Sequence, residues 1–194
     1  MNVSAETCPH YLTLTEDDLQ TLGAVAKCAP PVRTARERDA LWARVLAGEV
    51  DTIGSDHSPS PPGMKTDANF FKVWGGISGV QHTLPLLLTD GHVQRRVGLP
   101  LISNLLSRNV AGRFGLPKTK GRIEVGCDAD LALVDLQSEV VVRLEELFYR
   151  HKQTPYAGRK LRGRVVRTLL RGRTIFRDGI IVATPAGRLL KPQR

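Results

Sequence analysis

The first half of the chain alternates short apolar runs with stretches whose apolar residues recur at helical spacing. Val3 to Thr7, Ala24 to Cys28 and Val50 to Gly54 read as short strands. Leu12 to Leu22 reads as a helix, with Thr15 as a suitable N-cap and Glu16, Asp17 and Asp18 suiting its first turn. Gly23 stops it. Thr34 and Glu37 have the spacing of a capping box, and Leu41, Trp42, Val45 and Leu46 continue on one helical face. Gly48 is a natural stop for that helix. The order strand, helix, strand, helix, strand predicts an α/β fold built from parallel βαβ units.

Proline then interrupts the pattern. Pro59, Pro61, Pro62 and Gly63 demand a loop. Gly75, Gly76 and Gly79 come after Phe70 to Trp74, so the backbone there needs special angles, a tight turn, or room for a ligand. A helix is expected from Val80 to Leu88. A second, carrying Leu101, Ile102, Leu105, Leu106 and Val110, should end between Gly112 and Gly115. The character changes after Pro117. Gly121 to Gly126 and Ala129 to Asp135 look like strands, and Arg164 to Leu170 with Arg173 to Arg177 look like a hairpin around Arg171-Gly172. Ile180 to Ala183 suits one more strand. The expected division is an α/β part over residues 1–117, a mostly β module over 118–184 and a basic tail over 185–194.

Composition narrows the picture. The 194 residues carry a net charge of +9 and are 41% hydrophobic, which is ordinary for a folded domain. Apolar runs such as Leu84 to Leu88 are too short to cross a bilayer, so no membrane association is expected. Met1 to Ser4 has no signal-peptide character, and Cys8, Cys28 and Cys127 form no CxxC pair. A cytoplasmic, reduced protein is expected. Arg150 to Arg177 is strongly basic, yet its charges interleave with Leu161, Val165, Leu169 and Ile175. That is the look of half-exposed antiparallel strands, and no nucleic-acid recognition motif accompanies it.

Candidate chemistry sits where the strands end. Asp56 and His57 come directly after the Val50 to Gly54 strand, and His10 comes after the first strand. Barrel enzymes keep catalytic groups at such positions. The bland alternatives are a turn-capping Asp56, a solvated His57 and a hydrogen-bonded structural His10. His82 and His92, on or after a helix, look solvated, and His151 lies in a basic loop.

Six ordered motifs carry a family resemblance. They are Glu6 to Leu12 (ETCPHYL), Lys27 to Arg33 (KCAPPVR), Ser55 to Pro59 (SDHSP), Trp74 to Gly79 (WGGISG), Lys120 to Ile123 with Asp128 to Asp130, and Tyr149 to Lys152 with Pro155-Tyr156. Together they resemble the cyclic-amidohydrolase branch of the amidohydrolase superfamily, which holds dihydroorotases, hydantoinases and allantoinases. The chain looks most like the C-terminal part of the allantoinases, and the resemblance spans nearly its whole length.

That resemblance implies about strands six to eight of a TIM-like (β/α)8 barrel, followed by part of a small β-sandwich. It implies hydrolysis of a cyclic amide, with allantoin opened to allantoate, and a small cyclic ureide as substrate. The family's cofactor is a divalent metal, expected to be zinc and binuclear. By resemblance His10 and Asp56 are metal ligands, and Asp56 is also the catalytic proton carrier. Ala29, Ser58 and Gly75 would contact substrate. His57 would support the site from behind, because neighbours on a strand alternate in direction.

The family's His-x-His pair, carboxylated lysine and fifth-strand histidine have no counterpart in this chain. Fewer than half of the roughly 250 residues of a complete barrel precede the β module. The expectation is therefore a fragment or one half of an enzyme, partnered by a missing N-terminal half or by further copies of itself. The alternatives are an inactive barrel remnant acting only as an interaction protein, and a dihydroorotase or hydantoinase.

Overall fold

The computed structural model describes residues 3–116 and 118–192. Met1, Asn2, the expected boundary at Pro117 and the tail residues Gln193 and Arg194 lie outside the described residues. Strand β1 (Glu6–Thr7) runs into helix α1 (Pro9–Thr13), and helix α2 (Glu16–Leu22) comes at once after it. The single helix expected from Leu12 is thus two, with Leu14 extended between them. Thr15 caps α2 as expected: Asp18 Oδ2 accepts from the Thr15 backbone N–H at 2.7 Å. Gly23 ends it with φ 67°.

Ala24 to Cys28 is not a strand. A 3₁₀ turn covers Gly23–Ala26, and the chain continues in irregular, extended form. A short apolar run can be buried without pairing. Ala26 and Cys28 do this, packing with Leu14, Val32 and Ile77. Helix α3 (Ala35–Leu46) carries the predicted Thr34–Glu37 capping box. Strand β2 (Thr52–Ile53) then pairs directly and in parallel with β1, in the register Glu6↔Thr52 and Thr7↔Ile53. Two strands, not three, form the parallel sheet among the described residues.

A 3₁₀ turn (Val80–His82), helix α4 (Thr83–Leu86) and a π-type stretch (Leu87–Val93) run on as one helical segment. Helix α5 (Leu99–Ser103), a second π-type stretch (Asn104–Arg108) and helix α6 (Asn109–Arg113) make another. The first core cluster joins Leu12, Trp42, Val45, Ile53, Leu87 and Leu105. Trp42 anchors it by donating its indole N–H to the Leu12 carbonyl at 2.7 Å. Gly91 is what allows the helical segment to approach, since a Cβ there would lie 2.9 Å from the Trp42 ring.

Strands β3 (Leu131–Val141), β4 (Lys160–Leu170), β5 (Arg173–Arg177) and β6 (Ile180–Ile181) form an antiparallel sheet in that order. Arg171 and Gly172 have φ of 49° and 79°, and Asp178 and Gly179 have 49° and 90°. Consecutive left-handed residues make the tight hairpin turns whose twist matches the strands. Gly121 to Gly126 is turn, not strand, and Ile123 and Val125 stand in solvent. Val142, Tyr156 and Leu161 of this C-terminal region share a second core with Leu14, Ile77 and Leu86. Among the described residues, no helix is long and apolar enough to cross a membrane.

A partly buried ion pair ties the residue just before β4 to the first helical segment. Arg159 Nη2 lies 2.6 Å from both carboxylate oxygens of Asp90, whose side chain is almost wholly enclosed. Arg159→Met should therefore destabilise the chain by about 3 kcal/mol, because it leaves a buried charge unpaired. Adding Asp90→Asn should recover part of the loss. Urea unfolding of the two variants checks this, and equal stability of Arg159→Met and the parent would contradict it.

Candidate active site

The parallel β1–β2 pair dictates where the chemistry collects. Gly54 N–H donates to the Thr7 carbonyl at 3.0 Å, so the two strands end side by side. The segments after them therefore emerge at the same edge. Beyond β1, Cys8 is the extended N-cap of α1 and Pro9 sits in the first turn, which turns His10 inward. Beyond β2, Asp56 adopts a left-handed φ of 42°. His10 Nε2 and Asp56 Oδ2 are 3.9 Å apart.

The environments of the two groups differ. His10 is 1% exposed, and its Nε2 has no hydrogen-bond partner. Burial drives its pKa down to about 4, with the Asp56 carboxylate opposing, so the imidazole is neutral at pH 7 with a free lone pair. The Asp56 side chain is about half exposed. Cys8 joins them: one ligand atom each from Cys8, His10 and Asp56 lie within 4.8 Å of one another. Among the described residues this is the one such group. Burial, with the charges of Asp56 and Glu6, pushes the Cys8 thiol up to about 12. A nitrogen, a carboxylate and a sulfur around an orphaned lone pair are a fit for one divalent metal such as zinc. The thiol would join only if the metal's charge displaced its proton.

His57 faces elsewhere. Its Nδ1 accepts from the backbone N–H groups of Gly79 at 3.2 Å and Val80 at 3.4 Å. Its ring lies 4.7 Å from Tyr149. Ser58 donates its backbone N–H to Ile77 O at 2.9 Å. Gly76 packs so tightly on Ser58 that a Cβ there would lie 2.4 Å from the Ser58 hydroxyl. Gly75 rests on Ala29, with its notional Cβ 3.5 Å from the Ala29 methyl. Gly75 thus meets Ala29, and its neighbour Gly76 meets Ser58, bringing together segments distant in sequence.

The C-terminal region braces these loops. Tyr149 accepts from the Gln81 N–H at 2.8 Å, and Thr154 donates to the Ser78 carbonyl at 2.8 Å. His82 is buried between Tyr149 and Tyr156, contrary to the solvated position expected for it. His92 is partly buried as well, its Nδ1 2.9 Å from Val97 O. The aromatic neighbours of His82 come from distant segments, so the local helical pattern gave no hint of its burial. Sequence reasoning also passed over Cys8 as a possible ligand and over Lys65. Lys65 sits at the end of a 3₁₀ turn, Pro62–Lys65, and its ammonium donates to Trp74 O at 2.9 Å and Gly76 O at 2.8 Å. A lone lysine in a proline-rich loop carries no pattern that would mark it.

Known proteins share this arrangement of elements. Residues 7–175 match the Amidohydrolase family. The chain belongs to that family. It is similar to the allantoinase of Rubrobacter xylanophilus, 55% identical over 194 residues, covering 100% of this chain and 42% of that protein. The allantoinase of Deinococcus radiodurans is 50% identical over 193 residues, again 100% of this chain and 42% of the relative. Among solved structures, the L-hydantoinase (dihydropyrimidinase) from Arthrobacter aurescens superposes with a TM-score of 0.89 at 33% identity. The match covers 94% of this chain and 41% of that one. Dihydropyrimidinase from Brevibacillus agri gives a TM-score of 0.85 at 29% identity, covering 93% and 41%. The chain spans about 42% of the length of the curated relatives it matches. Family and neighbours imply a TIM-barrel-like fold, of which the α/β part is a portion. The family usually uses a divalent metal, in keeping with the Cys8–His10–Asp56 group.

The buried His82 sets a pH limit on the braced loops. Burial lowers its pKa to about 4, and its Nδ1 has no partner. The unfolded chain takes up the proton near pH 6.5 and the folded chain resists it, so stability is complete above about pH 6.5 and falls as pH drops towards 4. His82→Phe should remove about 3 kcal/mol of that pH dependence. Denaturation curves at several pH values across the window check this; an unchanged acid limb in the variant would contradict it.

Proposed function

We propose that this chain carries the His10–Asp56 part of a metal-dependent cyclic-amide hydrolase whose substrate is allantoin. The observation that carries this reading is the orphaned, buried Nε2 of His10 facing the Asp56 carboxylate at the joint end of β1 and β2. The allantoinase relatives at 55% and 50% identity favour allantoin over other cyclic amides.

In this reading His10 and Asp56 hold a divalent metal, which supplies Lewis acidity toward the ring carbonyl and acidifies the attacking water. Asp56 accepts the proton that water loses as its oxygen bonds to the carbonyl carbon. It then delivers that proton to the ring nitrogen as the C–N bond breaks, giving the opened ureide. The Asp56 side chain is about half exposed, so its carboxylate is open to water for this exchange. The backbone at Ala29 and Gly75, with Ser58 beside them, holds the amide groups of the ring. His57, tethered by the amides of Gly79 and Val80, keeps the Asp56 loop in register.

In this reading residues 1–117 are a portion of the barrel, with β1 and β2 as two of its strands and the irregular segment 24–28 in the place of the strand between them; 118–184 are part of a β-sandwich, and 185–194 a basic tail. The parallel pairing of β1 with β2 and the antiparallel sheet support this division. The remaining metal ligands come from a polypeptide outside this sequence, either the portion that the relatives have and this chain lacks or an assembly of copies.

Mixing the chain with the remaining part of the Rubrobacter xylanophilus allantoinase and zinc or manganese should yield allantoin hydrolysis. Asp56→Asn should lower the rate roughly a thousandfold. An unchanged rate in Asp56→Asn would rule out the role given to it. Absence of both activity and metal uptake in the mixture would favour a non-catalytic interaction protein.

A further inference from the structure

We propose that Lys65 is a positioning residue that joins the backbone at Ala29 to the backbone at Gly75, holding the two as one amide-binding surface. This rests on the cyclic-amide reading and adds a residue to it. Its ammonium donates to three carbonyls: Gly76 at 2.8 Å, Trp74 at 2.9 Å and Lys27 at 3.3 Å. Two of these flank Gly75 on either side. The third lies two residues before Ala29. An ammonium has three protons and no acceptor, so one side chain is fully used in tying the two segments together.

Nothing in the backbone duplicates the tie. Among the described residues, no backbone hydrogen bond joins residues 27–31 to residues 73–77. Besides the packing of Gly75 against Ala29, only lysine side chains bond the two segments together among the described residues. Lys27 reinforces the arrangement from the other side. Its ammonium donates to Phe70 O at 2.6 Å and Val73 O at 2.7 Å, and stands 5.0 Å over the Phe70 ring. Lys27 thus binds the stretch just before the glycine-rich turn, and Lys65 binds the turn itself.

Lys65 is half-buried, and burial pushes its pKa down to about 8, with Cys28 opposing and Lys27 reinforcing the shift. It is thus mostly charged at neutral pH, the form that satisfies all three acceptors. Charge-assisted hydrogen bonds of this kind are stronger than neutral ones, so their loss should loosen both segments at once.

The test uses the 194-residue chain mixed with the remaining part of the Rubrobacter xylanophilus allantoinase, with hydantoin as the probe. Amide hydrogen exchange would be measured alongside hydantoin and zinc titrations, for the parent, Lys65→Met and Lys65→Arg. In Lys65→Met, exchange in residues 27–33 and 74–77 should rise at least about tenfold, with the β3–β4 ladder unchanged as a control for folding. The hydantoin dissociation constant should rise about tenfold, while zinc affinity stays at the parent value. Lys65→Arg should restore most of both effects. Unchanged exchange in both segments, or unchanged hydantoin binding in Lys65→Met, would overturn the role of Lys65 and leave the cyclic-amide reading standing. Loosened segments in a mixture whose parent form binds no hydantoin would instead uphold the tie and sink the cyclic-amide reading.

Discussion

The parallel pairing of β1 with β2 is the constraint on which the rest depends. Four residues in two-by-two register make the two strands end together. Because the strands are parallel, the residues after each of them leave from the same edge. That brings His10 and Asp56 to 3.9 Å although 46 positions separate them in the chain. An antiparallel arrangement of the same residues would put them at opposite ends. The helices around the pair serve this geometry: α3 buries Trp42 against the Leu12 carbonyl, which holds α1 down on the sheet.

The site is then differentiated by solvent. One face is dry, with His10 neutral and its lone pair unpartnered, and Cys8 held as a thiol. The other face is wet, with Asp56 open to water. A neutral nitrogen donor in dry surroundings beside an exposed carboxylate is the kind of donor set that suits a divalent cation while leaving the carboxylate in reach of solvent protons. The loops around it carry few backbone pairings of their own. They are held by side chains sent from elsewhere: Tyr149 and Thr154 from the C-terminal region, and Lys27 and Lys65 across the glycine-rich turn.

Much of the local structure was legible. Thr15 and Thr34 announced two helix starts because capping is a matter of a few adjacent atoms. Arg171-Gly172 announced a hairpin because two consecutive left-handed residues favour that turn. Asp56 and His10 stood out as polar residues at the ends of apolar strands. The failures share a cause. Ala24 to Cys28 is apolar because it packs, not because it pairs, and a run of five residues cannot tell the two apart. Gly121 to Gly126 has strand-like residues and finds no strand to pair with among the described residues. His82 reads as surface because a helical pattern reports only on its own neighbours, whereas Tyr149 and Tyr156 arrive from more than sixty positions away.

The sequence by itself therefore determined the elements that local chemistry dictates: capped helices, glycine turns, the proline-rich loop, and the residue types available for metal and proton chemistry. The motifs, read as a resemblance, added the family. Only the tertiary structure decided which of those residues meet. It set Ala29 against Gly75, turned His57 away from His10 toward Tyr149, and gave Lys65 three carbonyls to hold. Such contacts depend on segments far apart in the chain and on the burial that their packing creates, and neither quantity exists until the chain has folded.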